Sequence, residues 1–112
     1  METSKKYKEI FRLKKMLEDA NIPFDFFEMD PEARKIMPEF EHWHINYPNR
    51  GNFIVSAVEG LGTYGEQDDK LEIMGGLTDE EKEDGYEVIG WLTAEEVFER
   101  IKKLEEENEK SN

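Results

Sequence analysis

The segment "HWHINYPNRGNFIVSAVE", residues 42–59, limits the fold more than any other part of the chain, because it encodes a β-hairpin. Residues 42–47 alternate between apolar and polar side chains, which predicts a strand with one apolar face. "PNRGN" is a turn signal, and the apolar run 53–59 predicts a returning strand. Strands joined by so short a turn pair antiparallel, so the sequence predicts an antiparallel sheet.

The two faces of the first hairpin strand differ in chemistry. One face carries Trp43, Ile45 and Tyr47, and the other carries His42, His44 and Asn46. Two histidines on one face are typical of metal ligands, but a third ligand would have to come from elsewhere, with Glu59 across the hairpin as one candidate. Because the pattern supplies no third ligand, we interpret this face as exposed polar surface. We predict neither a metal site nor a bound cofactor.

An N-terminal helix is predicted ahead of the hairpin. In residues 4–20 the apolar side chains recur at spacings of three and four, which places them on one helical face. The expected N-cap is Thr3 or Ser4. Asn21 and Pro23 are expected to end the helix.

A C-terminal helix is predicted after a capping box formed by Thr93 and Glu96. Its apolar stripe consists of Val97, Phe98, Ile101 and Leu104. Residues from about 105 to 112 carry no apolar anchor and are expected to fray. A second capping box, at Thr78 and Glu81, predicts a shorter helix.

Weaker signals complete the fold. "FDFFEM", residues 24–29, predicts a first strand, and residues 30–40 predict a connection with a helical turn. Trp43 and Trp91 both fall in apolar patterns and are predicted to belong to the core. Together the segments predict one domain over residues 1–112 with an α+β fold: an N-terminal helix, an antiparallel sheet of three or so strands, short helical turns and a C-terminal helix. Both long helices are expected on the apolar face of the sheet.

The glycine-rich segment "GLGTYG", residues 60–65, has the G-x-G-x-x-G spacing of dinucleotide-binding loops. Such a loop needs a long helix after it in a parallel β-α-β unit. Here Asp68 or Asp69 is expected to cap only a short helix, which two glycines end after residue 74. We therefore interpret the glycines as positive-φ turn positions and Tyr64 as an exposed aromatic anchor for a partner.

Charge separates the classes of partner. The 112 residues carry a net charge of −13, and residues 59–112 hold 18 acidic and 6 basic side chains. Such a surface repels nucleic-acid phosphates and attracts a basic protein surface, so we predict no direct nucleic-acid binding. The chain lacks cysteine, an apolar leader segment and an apolar run of membrane-spanning length, so we expect a cytosolic protein with no membrane association.

Four segments carry a resemblance to a known group of proteins: "INYP", "VSAVEG…TYG", "LEIMGGLTDEE" and "VIGWLTAEEVFERIKK". Over residues 43–103 the chain resembles small uncharacterised proteins from phages and prophages of Gram-positive bacteria. In that group the glycine segment usually reads Ser-Tyr-Gly, which corresponds here to Thr63, Tyr64 and Gly65. The resemblance implies a phage accessory protein acting in the host cytosol, and it implies no catalytic residues.

Three functions remain open from the sequence. The first is a non-enzymatic binder or inhibitor of a host factor in host defence, with the basic groove of a nucleic-acid-binding protein as one suitable surface. The second is a binder that sequesters a small signalling nucleotide, for which Arg50 is a candidate contact. The third is a small metal-dependent hydrolase using acid pairs such as Asp68 with Asp69. We favour the first, predict no catalytic residues and leave homodimer formation open. The predicted contact residues are Tyr64, Gly65, Thr63, Arg50 and Glu66.

Overall fold

A computed structural model describes residues 4–110 as a five-stranded antiparallel sheet with two long helices. The strands are β1 (Asp25–Glu28), β2 (His42–Pro48), β3 (Phe53–Gly60), β4 (Leu71–Met74) and β5 (Val88–Leu92). The helices are α1 (Glu9–Asp19), α2 (Pro31–Ile36), α3 (Asp79–Glu83) and α4 (Ala94–Lys110), with a 3-10 turn at Glu66–Asp68. The predicted α+β class is confirmed, with more strands than the three or so expected.

The sheet is a meander in which each strand pairs antiparallel with the next in the order β1-β2-β3-β4-β5. The predicted hairpin is β2 and β3, with Ile45 opposite Ala57 and Asn46 opposite Ser56. Its alternation divides the sheet into a core face and an open face. None of the helices within residues 4–110 is long and apolar enough to cross a lipid bilayer.

The core lies between the sheet and the two long helices. Helix α1 contacts β2, β3 and α4, and α4 contacts β4, so both helices cover the same face as predicted. Trp43 is fully buried there, and its ring stacks on Phe26 and meets the edge of Phe11. The other large buried side chains of the core include Tyr7, Ile10, Leu13, Leu17, Ile45, Tyr47, Leu71, Ile73 and Ile101.

Residues 71–74 form a strand, so the helix predicted over 68–74 is wrong. "LEIM" alternates, with Leu71 and Ile73 buried in the core and Glu72 and Met74 on the open face. The segment is too short to gain from helical hydrogen bonds, whereas pairing with β3 satisfies its backbone. Asp69 takes a left-handed conformation that ends the preceding 3-10 turn.

Strand β5 was missed, and the prediction that Trp91 belongs to the core is wrong. The pairing of β4 with β5 is irregular between Leu71 and Ile73, as in a β-bulge. Trp91 lies in this irregularity with φ +56°, and its side chain is 58% exposed. The bulge turns the tryptophan out of the apolar alternation that would otherwise have buried it.

Helix α1 begins at Glu9 rather than at Ser4, because its cap comes from a distant part of the chain. Asp69 Oδ1 accepts the backbone N–H groups of Lys8 (2.9 Å) and Glu9 (3.2 Å), and Glu59 Oε1 accepts that of Ile10 (3.1 Å). Ser4 instead caps a turn before the helix. Thr3, the other predicted cap, lies outside the described residues, as do residues 111–112 of the predicted frayed tail.

Candidate functional site

The glycine loop, residues 60–65, is a hydrogen-bonded turn rather than a nucleotide cradle. Gly62 and Gly65 have φ values of +85° and +105°, as predicted, whereas Gly60 ends strand β3. The Thr63 hydroxyl donates to the Gly60 carbonyl (2.8 Å) and accepts the Gly60 N–H (3.1 Å). The Tyr64 N–H donates to Glu72 Oε1 (2.8 Å), which ties the loop to the open face of the sheet.

Glu66 is tied to the N-terminal segment and is poorly placed as a contact for a partner. Its Oε2 accepts the Tyr7 hydroxyl (2.6 Å) and lies 3.2 Å from Lys6 Nζ. The hydrogen bond from Tyr7 lowers the pKa of Glu66, while burial together with this bond raises the pKa of Tyr7 to about 12. Glu66 therefore anchors the loop to the helical layer.

Tyr64 is exposed, as predicted, and it stacks on Trp91. Their ring centroids lie 5.9 Å apart with an interplanar angle of 22°. The backbone N–H of Trp91 donates to the Tyr64 carbonyl (3.2 Å). The two residues also approach closely at Gly90, where any Cβ would collide with the Tyr64 side chain. Tyr86 is exposed nearby, on the same shallow concavity. We call Tyr64, Tyr86 and Trp91 the aromatic patch.

The aromatic patch lies beside a strongly acidic segment. Residues 79–87, "DEEKEDGYE", carry six acidic side chains and one lysine, a net charge of −5. Glu81 is held by Arg100 through two hydrogen bonds of 2.8 and 2.9 Å, and this contact lowers the pKa of Glu81 to about 2. Apart from the half-buried Glu81, the acidic side chains of this segment are exposed. A partner on the patch would therefore meet a negative rim.

A second concave surface lies on the open face of the sheet. It is a groove of about 520 Å³. Its floor is polar and buried, with His44, Asn46 and Ser56 each no more than 9% exposed. Its rim is apolar and exposed, and consists of Met29, Phe53, Leu61 and Met74. The interpretation of this face as exposed polar surface is therefore wrong, because the surrounding apolar side chains and the glycine loop shield the strand.

The two histidines of the groove form a neutral pair. His42 Nδ1 and His44 Nε2 are 2.9 Å apart. Burial lowers the pKa of both rings, and with the neighbouring His42 and Arg50 it lowers the pKa of His44 to about 4. Glu59, the third metal ligand considered from the sequence, is buried on the core face instead. Within the described part of the chain, no three histidine or acidic side chains form a group that could hold a metal ion.

Among the described residues, two polar groups of the groove lack a partner: one has no hydrogen bond and the other has no ion pair. Asn46 is 5% exposed, and its Oδ1 has no hydrogen-bond partner. The Arg50 guanidinium lies 3.9 Å from the centre of the Phe27 ring, and no carboxylate pairs with it among the residues that the structure describes. The other three arginines each pair with a glutamate: Arg12 with Glu9 and Glu95, Arg34 with Glu28, and Arg100 with Glu81.

The predicted contact residues therefore fall in three places. Tyr64 and Gly65 belong to the aromatic patch and its supporting loop, Arg50 and Thr63 line the groove, and Glu66 is tied to Tyr7. Sequence reasoning missed Asn46 and Trp91 as site residues. The polar positions of the β2 alternation were a usable signal for Asn46, and the isolated Gly90 inside "VIGWL" was a usable signal for the bulge at Trp91.

Comparisons of the chain with protein-family models, with curated proteins and with solved structures found no match.

Proposed function

We propose that this chain is a non-enzymatic binding protein that engages a basic surface on a host protein through the aromatic patch. The observation that carries the proposal is the exposed Trp91, held at φ +56° and stacked on Tyr64. The resemblance to phage and prophage proteins supports an accessory protein that inhibits a host factor in the cytosol.

The conformation of Trp91 is costly for folding alone. A left-handed backbone costs an L-residue about 1–2 kcal/mol, and glycine or asparagine would avoid most of that cost. The indole ring remains more than half exposed, so it recovers little of this through burial. Tryptophan and tyrosine are the residues that most often dominate binding energy at protein interfaces. An exposed pair of them, fixed in place by the hydrogen-bonded loop, is therefore best explained by a partner.

Charge indicates the kind of partner. The acidic segment 79–87 borders the patch, and the chain as a whole carries −13. Opposite charge on the partner would steer encounter and fix the orientation of binding. The binding groove of a nucleic-acid-binding protein is one basic surface of this kind, and occupying it would inhibit that protein.

Affinity capture from a lysate of a Gram-positive host tests the proposal. Wild-type protein is compared with Trp91→Ala and with Ile36→Ala, which removes another exposed apolar side chain, 83% exposed, from helix α2. We expect one basic protein to be retained by the wild type and by Ile36→Ala, lost with Trp91→Ala and released by salt. Equal retention by wild type and Trp91→Ala would contradict the proposal. Sedimentation of the purified chain, alone and with the captured protein, separates this interaction from a homodimer.

The hydrolase alternative has little support in the geometry. Ser56 faces the groove, but its cross-strand neighbour is Asn46, and no hydrogen bond joins its hydroxyl to either imidazole in residues 4–110. Asp68 and Asp69 do not form a paired site, because the Asp69 carboxylate caps helix α1. The small-ligand alternative concerns the groove and is independent of the aromatic patch.

A further inference from the structure

We infer that the groove on the open face of the sheet binds a small planar anion. In this proposal a ring N–H of the ligand donates to Asn46 Oδ1, and the anionic group of the ligand pairs with Arg50. The inference does not depend on the aromatic patch, because the two surfaces use different residues. It deepens the small-nucleotide hypothesis by assigning a groove and two contacts.

Asn46 gives the groove a buried polar side chain with an unsatisfied acceptor. Its side chain lines the groove and is only 5% exposed. A buried acceptor without a partner costs stability, about 1–3 kcal/mol, and most such atoms in folded proteins are satisfied. Ser56, opposite it on β3, makes no hydrogen bond to it in the described structure. This oxygen is closed off from solvent, so a ligand donor satisfies it only when the side chains that cover it move aside.

Arg50 gives the groove a positive charge that no acidic side chain pairs with among the described residues. It lies in the turn between β2 and β3, where Asp25 Oδ2 accepts its backbone N–H (2.7 Å) and so fixes the start of its side chain. The guanidinium lies over the Phe27 ring and leaves its N–H edge without a carboxylate among the described residues. In a chain with 28 acidic side chains and 15 basic ones, an arginine that lines a groove without an acidic partner suits an incoming anion.

A row of planar side chains along the groove indicates a planar ligand. Arg50, Phe27, His44 and His42 form a row of planar groups, with 3.9 Å from the guanidinium carbon to the phenyl centroid and ring-centroid distances of 5.1 and 4.9 Å along the rest. Their neutral rings favour stacking and edge contacts with another flat ring. A volume of about 520 Å³ is within the usual range for small-ligand pockets.

Glu72 gives the site a direction. It lines the groove, and its Oε1 accepts the backbone N–H of Tyr64 in the glycine loop. That loop begins at Gly60, which lies opposite His42, so Glu72 lies toward the His42 end of the row. Arg50 is at the other end of that row, next to Phe27. The anionic group of the ligand is therefore placed at the Arg50 end, away from the Glu72 carboxylate. Guanine and uracil nucleoside monophosphates and indole-type carboxylates both combine a ring N–H with an anionic group.

Calorimetric titration of the purified chain tests the inference with defined probes. The phosphate probes are GMP and UMP, whose bases carry a ring N–H, each paired with its uncharged nucleoside. The carboxylate probe is indole-3-carboxylate, paired with indole and with 1-methylindole-3-carboxylate, which lacks the ring N–H. We expect at least one charged probe to bind at millimolar concentration or below and its uncharged counterpart to bind about tenfold more weakly or not at all, as loss of a charge-assisted contact implies.

Variants locate any binding that is found. Arg50→Gln and Asn46→Leu should each weaken it about tenfold. Lys15→Gln, which removes an exposed cation from α1, and Trp91→Ala should leave it unchanged. Binding of nucleotides alone identifies the anion as a phosphate, and binding of the indole acid alone identifies it as a carboxylate. If no charged probe binds, or if Arg50→Gln and Asn46→Leu bind as the wild type does, the inference is wrong.

Discussion

Tyr64 and Trp91 contact each other in two ways: their rings stack, and the backbone N–H of Trp91 donates to the Tyr64 carbonyl. The glycine loop and strand β5 are therefore one unit, although the two residues lie 27 positions apart along the chain. Gly90 permits this approach, because a side chain there would collide with Tyr64. Exposed rings held in this way are already ordered before a partner arrives, which lowers the entropic cost of binding.

The first prediction concerns the backbone of Trp91. At φ +56° a β-branched residue is strained and glycine is not, so Trp91→Val should unfold more easily than Trp91→Gly by about 1–2 kcal/mol. Both variants lose the stacked ring, so this loss cancels in the comparison. Urea denaturation gives the two free energies of unfolding. Equal stability of the two variants would show that the left-handed conformation is not retained in solution.

The second prediction compares two glycines of the same loop. Gly62 and Gly65 both have positive φ, so alanine costs each of them about 1 kcal/mol of backbone strain. A Cβ at Gly62 would meet open space, whereas one at Gly65 would lie 2.9 Å from the Trp91 backbone nitrogen. Gly65→Ala should therefore cost about 1–3 kcal/mol more than Gly62→Ala. Thermal melting measures the difference, and similar melting temperatures would mean that the loop does not pack against β5.

The third prediction is a stability maximum between about pH 4.5 and 6.5. Burial lowers the pKa of His44 from 6.5 to about 4, so between about pH 4 and 6.5 the unfolded chain binds more protons, and this group lowers stability as the pH falls. Burial and the neighbouring Asp69 raise the pKa of Glu59 from 4.5 to about 9, so the folded chain keeps a proton that the unfolded chain loses. Glu59 therefore lowers stability as the pH rises from about 4.5 to 9. The two effects cancel between about pH 4.5 and 6.5, and stability falls on either side of that window.

Melting temperatures measured from pH 3 to pH 9 check this profile. Glu59→Gln, which mimics the protonated acid, should flatten the decline above pH 6.5 and extend the acid limb up to about pH 6.5, because the effect of His44 is no longer cancelled. His44→Phe should move the maximum down to about pH 4.5, below which Glu81 still lowers stability because its pKa is about 2. An alkaline limb that persists in Glu59→Gln would show that another group titrates there.

The hairpin, the apolar core face and the capping boxes could be predicted because each depends on residues close in sequence. The boxes at Thr78 and Thr93 form as expected, with reciprocal hydrogen bonds to Glu81 and Glu96. The start of α1 could not be predicted, because its cap is Asp69, sixty-one positions after Lys8. Local propensity contains no information about such a tertiary contact.

The site residues were harder to predict than the fold for a similar reason. The alternation in β2 placed His44 and Asn46 on the open face correctly, but their burial depends on Met29, Phe53 and Leu61, which lie in other segments. Trp91 was assigned to the core because its neighbours are apolar. A one-residue irregularity in strand pairing reverses the direction of a side chain, and the isolated Gly90 is its local signal.

The last prediction uses two asparagines of the β2–β3 hairpin. Asn46 Oδ1 is buried without a partner, whereas Asn49 Oδ1 accepts the Asn52 N–H (2.8 Å) in the turn. Replacing an unsatisfied polar group by an apolar one of similar shape is neutral or stabilising, so Asn46→Leu should leave the free energy of unfolding unchanged or raise it by about 1 kcal/mol. Asn49→Leu removes a satisfied bond and should lower it by about 1 kcal/mol. Urea denaturation of both variants measures the contrast. If Asn46→Leu is the more destabilised of the two, Asn46 stabilises the fold itself, and its burial does not indicate a ligand contact.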